Sequence, residues 1–163
     1  MAKKIQKIYW DACCFLAILN NESNQKVCED VLREAEAGDI QLFISPLTMA
    51  ETVRPKGSLT PLSLQSKQKV LALFEGKYVN LITFNREVAF QSLEYCWNYG
   101  LHPRDALHLA FAVFAGCDAI ETTDPDLLNI PTAYPISIQV RRPIGSGQTT
   151  IDNFPNEEET TTS

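Results

Sequence analysis

The sequence predicts an α/β fold, a three-layer α/β/α sandwich around a central parallel sheet of about five strands. Two observations predict it. Short apolar segments of strand length alternate with longer segments of helical spacing across most of the chain, the pattern of a parallel sheet covered on both faces. Acidic residues recur just past strand ends or early in the helices that follow them, the edge where such sheets bind ligands. A length of 163 residues with 45% hydrophobic content suits one compact domain with a substantial core.

The elements follow in order. Residues 5–10 alternate and then turn apolar, a first strand that delivers Asp11 at its end. An apolar stretch, 12–19, leads to the polar break Asn20-Asn21-Glu22-Ser23. Val27, Val31, Leu32 and Ala35 give helical spacing over 27–37, stopped by Gly38. Residues 40–44 form the second strand. Ser45-Pro46 starts a helix, because serine caps free amides and proline fits the first position, and this helix carries Glu51. Residues 54–58 break the pattern, and 59–73 resume as a helix. A third strand over 78–84 precedes a helix through 88–99 that ends at Gly100. His102-Pro103 opens another helix, 104–115, almost wholly apolar, with Asp105 in its first turn where the helix dipole favours a negative charge. Residues 117–122 give the fourth strand with Asp124 just beyond, and 136–140 a short fifth. Residues 1–142 thus form the domain. Residues 143–163, poor in apolar side chains, are expected to be a disordered acidic tail.

Composition narrows the function classes. No apolar run approaches the roughly 18 residues that would span a bilayer, and residues 1–5 lead straight into a strand, so a soluble, unsecreted, cytoplasmic protein is expected. The five cysteines, Cys13, Cys14, Cys28, Cys96 and Cys117, form no CxxC pair and are odd in number, which fits a reducing compartment and small buried side chains. The net charge of −6 argues against strong nonspecific duplex binding. It does not exclude a nucleic-acid substrate. Asp152, Glu157, Glu158 and Glu159 carry −4 of it, leaving −2 on residues 1–142.

Four acids stand out by context. Asp11 follows Ile8-Tyr9-Trp10, Glu51 follows Leu47-Thr48-Met49-Ala50, Asp105 precedes Ala106-Leu107-His108-Leu109-Ala110, and Asp124 follows Ile120-Glu121-Thr122-Thr123. Charges in apolar surroundings are costly unless paired or bound to a metal. Arg54 and Arg104 are too few to neutralise all four. Hard divalent cations such as Mg²⁺ or Mn²⁺ suit carboxylate oxygens, whereas the lack of a Cys/His ligand cluster argues against zinc. Divalent ions in all-carboxylate pockets commonly serve phosphoryl chemistry by activating water and stabilising the leaving oxygen. That chemistry needs no Ser or His nucleophile, in keeping with a chain of two histidines and no GxSxG, P-loop or GxGxxG motif.

The segments Ile8-Tyr9-Trp10-Asp11-Ala12-Cys13, Ser45-Pro46-Leu47-Thr48-Met49-Ala50-Glu51, Pro103-Arg104-Asp105-Ala106-Leu107-His108-Leu109-Ala110 and Ile120-Glu121-Thr122-Thr123-Asp124-Pro125-Asp126 resemble, in order and spacing, the four acidic motifs of PIN domains. The resemblance covers about residues 5–140. Each motif is weak alone, and the ordered set is specific. Cys13 departs from the pattern, since many relatives carry Ser, Thr or Asn there.

The family is typified by VapC-like toxins of toxin–antitoxin pairs, Mg²⁺- or Mn²⁺-dependent ribonucleases. The resemblance implies that Asp11, Glu51, Asp105 and Asp124 are the catalytic metal ligands, that RNA is the substrate, and that an antitoxin protein and a homodimer are the partners. Asp126 is either an outer ligand or a turn and cap residue. Arg104 either holds the scissile phosphate or pairs with the acids. Thr122 and Thr123 either orient water at the metal or end the strand. His108, Phe111 and Phe114 read as core. Two rival functions are a catalytically inactive PIN fold serving as a protein-interaction or RNA-binding module, and a phosphatase with Asp11 as nucleophile. The second lacks the DxD pattern, because Cys13 stands where its other aspartate would be.

Overall fold

The computed structural model describes residues 4–52, 59–130 and 136–145. Arg54 and the tail from residue 146 onward lie outside the described residues. Five parallel strands form one sheet: β1 (Gln6–Trp10), β2 (Ile40–Ile44), β3 (Val79–Leu81), β4 (Ala119–Glu121) and β5 (Gln139–Arg141), in the order β3-β2-β1-β4-β5. Seven helices are seen among the described residues: α1 (Ala12–Leu19), α2 (Gln25–Ala37), α3 (Pro46–Glu51), α4 (Leu64–Phe74), α5 (Arg86–Tyr99), α6 (Pro103–Phe114) and α7 (Pro125–Leu128).

Alternation along β1 divides the core. Ile8 and Trp10 enter one apolar cluster with β2 and helices α1 and α2, and Tyr9 enters the other with α5 and α6. Both faces of the sheet are covered, giving the expected three layers, and this explains why the central strands read as apolar runs. The chain moves outward from β1 through β2 to β3, then returns to the other side of β1 for β4 and β5. The order therefore reverses between β1 and β4, and a crevice is expected beyond their carboxyl ends.

Local signals account for most boundaries. Gly38 and Gly100 take left-handed conformations, φ 83° and 66°, where glycine avoids the strain of a side chain. Ser45 caps α3 through the Thr48 amide, and Thr48 reciprocates toward the Ser45 amide. The helix expected from residue 59 begins only at Leu64, because Ser63 supplies the cap after Pro61. The third strand is shorter than its apolar run. At the sheet edge only β2 pairs with it, and Leu81 and Phe84 remain exposed. The fifth strand lies at Gln139–Arg141, later than its apolar pattern suggests, and α7 was not legible as a helix because it has only four residues. Phe111 is core, but Phe114 is 43% exposed and is corrected to surface, since it follows the last buried residue of α6, Ala112.

Glu121 is a buried acid of a different kind. One carboxylate oxygen accepts from Trp10 Nε1 at 2.9 Å, and the other from Arg141 Nη2 and the Ile144 amide, both at 3.2 Å. It thereby ties β5 and the following segment to the sheet centre. Removing one partner of such a pair strands the other charge, so Glu121→Ala should lower unfolding free energy by about 3 kcal/mol. Urea titration checks this as a fall in midpoint, and an unchanged midpoint would contradict the role.

Candidate functional site

The crevice at the reversal point is the candidate active site, a cleft of about 360 Å³ whose lining includes Asp11, Cys13, Glu51, Arg104, His108, Thr123 and Asp124. Asp11 leaves the end of β1 and caps α1, its Oδ1 accepting from the Cys13 amide at 3.0 Å. Its Oδ2 accepts from Thr122 Oγ1 at 2.6 Å. The Thr122 hydroxyl accepts in turn from the Asp124 amide at 2.9 Å, so one buried threonine joins the ends of β1 and β4. Asp124 caps α7 through the Asp126 amide at 3.0 Å. The cap after β4 is thus Asp124 rather than Asp126, which lies in the first turn of α7 and is exposed.

Arg104 gathers the other acids. Its Nη2 donates to Asp124 Oδ2 at 2.6 Å, while its Nε lies 3.7 Å from Glu51 Oε1 and 3.6 Å from Asp105 Oδ1. Burial works against the Arg104 charge, but Glu51, Asp105 and Asp124 outweigh it and raise its pKa further. Among the described residues, Asp105 Oδ1 is buried without a hydrogen-bond partner. Burial pushes the Asp105 carboxyl above the ordinary aspartate range; Arg104 pulls it down, and Asp124 and Asp126 push it up. Burial also raises Asp11, against the lowering effects of His108, Thr122 and the Cys13 amide.

Sequence reasoning singles out two further residues without revealing their contacts. Thr122 proves to be a hydrogen-bonded joint between two acids, and its place before Asp124 in a buried strand end was the available signal. His108 is buried at 1% exposure, as expected, but one of its partners is Glu51, with Nε2 2.9 Å from Oε2. Its spacing one turn after Asp105 placed it near the site without revealing that contact. Cys13 is half-buried in the cleft lining, and Cys14 is buried in the core.

The structure thus brings Asp11, Glu51, Asp105 and Asp124 to one edge, linked through Arg104 and Thr122. Among the described residues, no three His, Cys, Asp or Glu side chains are already drawn together as a metal-ligating group. The model of the PIN domain matches residues 8–132. The chain belongs to the PIN-domain family.

PIN domains are a nuclease family whose members generally use a divalent metal. Solved structures agree on the fold. VapBC2 from Rickettsia felis, bound to a promoter DNA fragment, superposes with a TM-score of 0.63 at 15% identity, over 84% of this chain and 98% of that one. A toxin–antitoxin complex from Klebsiella pneumoniae gives 0.56 at 22% identity, over 76% and 92%. VapC20 from Mycobacterium tuberculosis, described as a toxin that cleaves the sarcin-ricin loop, gives 0.56 at 16%, over 74% and 92%. No curated protein sequence matches this PIN domain significantly.

The raised Asp11 pKa has a stability consequence in the metal-free PIN domain. A raised folded value gives stability that is fully present below the ordinary aspartate value, about 3.9, and is lost as pH rises through the folded value. Asn keeps the cap acceptor and cannot ionise. Asp11→Asn should therefore be more stable than the parent by roughly 0.5–2 kcal/mol near pH 7.5, the usual scale of a stabilising substitution. The gain should vanish near pH 3. Thermal melts in EDTA across this range test it, and a gain that does not depend on pH would contradict the burial argument.

Proposed function

We propose that this PIN domain is a metal-dependent endoribonuclease that hydrolyses RNA phosphodiester bonds, the toxin of a toxin–antitoxin pair, with Asp11, Glu51, Asp105 and Asp124 as Mg²⁺ or Mn²⁺ ligands. The observation that carries this reading is Asp105 Oδ1, a buried acceptor with no hydrogen bond among the described residues and only a 3.6 Å ion-pair contact to Arg104, beside a cleft edged by three further acids. Buried polar atoms are seldom left without a partner, and an acceptor of this kind fits a hard cation. Among the described residues one guanidinium stands against these four carboxylates, and a divalent ion would offset the excess negative charge. The donor set fits such an ion: all oxygen, at the end of two adjacent strands and on two helices.

When bound, a divalent ion there would activate water and stabilise charge at the phosphate. The chain's own residues set the frame. Asp11 is oriented by the Cys13 amide and Thr122 hydroxyl, and Asp124 by its own cap. Arg104, with its side chain 36% exposed, is the one described cation among these acids that also reaches the opening, and we assign it to the scissile phosphate. Asp126, exposed beside Asp124, is assigned at most an outer, water-mediated contact. The likeness to toxin–antitoxin complexes supports an antitoxin partner that covers the cleft, and the homodimer and cytoplasmic setting belong to the same reading. Among the described residues no helix is long and apolar enough to cross a membrane.

One observation favours the inactive-module reading: Arg104 already partly neutralises three of the acids. Cleavage of a mixed RNA pool with Mn²⁺, Mg²⁺ or EDTA separates the two. Asp11→Asn should lower metal-dependent cleavage by at least about 100-fold, since even outer-shell partners of metal ligands commonly cost 10–100-fold. Absent cleavage by the parent, with Mn²⁺ binding equal in parent and variant, would overturn the nuclease reading in favour of the module.

A further inference from the structure

Glu51 is placed at the weak end of its own element. It is the last residue of a six-residue helix. Its carboxylate is 25% exposed, and its Arg104 contact is long at 3.7 Å. The short contact comes from outside: His108 Nε2 on α6 lies 2.9 Å from Oε2. Behind His108, Nδ1 meets the Tyr9 hydroxyl of β1 at 2.7 Å. Tyr9 is fully buried, and its hydroxyl also meets Ser45 Oγ at 2.7 Å and Thr48 Oγ1 at 3.2 Å, both at the start of α3.

We propose that Tyr9 and His108 form a buried clamp that grips both ends of α3 and thereby positions the Glu51 carboxylate in the cleft. Tyr9 holds the capped first turn, and His108 holds the carboxylate at the far end. The proton directions are consistent. Thr48 Oγ1 donates to the Trp10 carbonyl at 2.9 Å, so with the one Tyr9 proton directed at Nδ1 the 3.2 Å Tyr9–Thr48 contact carries no proton, and Ser45 is the residue that bonds Tyr9 at the start of α3. Ser45 can donate to the Tyr9 oxygen, Tyr9 can donate to Nδ1, and Nε2–H then donates to Glu51, with each of these contacts at 2.7–2.9 Å. The neutral ring is thereby restricted to the Nε2-protonated form, because an imidazole that accepts at one nitrogen must donate at the other. A core histidine merely satisfied by its surroundings would not join a cleft carboxylate to the cap of the helix that carries it. Both are positioning residues, since they act through Glu51; what Glu51 binds rests on the nuclease reading above.

The test uses the full chain, with Mn²⁺ alone as the binding probe, followed by electron paramagnetic resonance. The variants are Tyr9→Phe, which removes only the hydroxyl, His108→Ala, Glu51→Ala and the Tyr9→Phe/Glu51→Ala double. Tyr9→Phe and His108→Ala should each weaken Mn²⁺ binding by about 10-fold, the lower end for supporting partners of metal ligands. In the Glu51→Ala background Tyr9→Phe should add nothing, because the carboxylate it positions is gone. In the metal-free protein, nitrogen-15 NMR should show His108 protonated at Nε2. The clamp is overturned if Tyr9→Phe leaves Mn²⁺ affinity unchanged while Glu51→Ala lowers it, if its effect is equally large with and without Glu51, or if Nε2 carries no proton. Mn²⁺ affinity indifferent to Asp11→Asn and Glu51→Ala alike identifies instead a failure of the metal reading itself, which removes the clamp's purpose.

Discussion

Asp11 is an aspartate buried to 3% exposure at the point where strand order reverses, and the rest of the site is arranged around the cost of placing it there. A buried carboxylate loses its hydration, and only hydrogen bonds or cations can replace what water supplied. The replacement comes from both sides of the reversal. The Cys13 amide of α1 bonds one oxygen, and Thr122, just past β4, bonds the other. Parallel pairing of Trp10 with Glu121 puts those two strand ends level, so the register of the sheet sets the geometry of the acids.

A second layer of order reaches the cleft from the opposite core. Tyr9 faces away from Ile8 and Trp10 by strand alternation, and this places its hydroxyl under α3 and against α6. The same strand thus delivers an acid at its end and, two residues earlier, a hydroxyl that organises the helix bearing another. Arg104 and Asp105 enter on the first turn of α6, and the one guanidinium contacts Glu51, Asp105 and Asp124. Charge balance among the described residues is incomplete, and the Asp105 oxygen without a hydrogen bond there is its local expression.

Much of the fold was legible because its signals are local. Ser45-Pro46, Gly38 and Gly100 mark helix ends through backbone chemistry that needs no distant partner, and all three stand where expected. The misses share a physical cause. Residues 78–84 are apolar beyond the part that pairs, since an edge strand ends where its single neighbour ends. Phe114 is apolar yet exposed, because hydrophobicity states a preference and not a location. Glu121 has no assigned role in the sequence, and only its bonds to Trp10, Arg141 and the Ile144 amide reveal a structural carboxylate apart from those of the cleft.

By itself, the sequence determined the alternating architecture and the family, and it singled out four acids as candidates, since periodicity, caps and ordered motifs are written along the chain. The tertiary structure alone decided which side chains serve those acids. Thr122 touches Asp11 across 111 positions, His108 meets Glu51 across 57, and Tyr9 meets His108 across 99. Such pairings arise from the crossing of strands and helices at one sheet edge, and no local spacing encodes them.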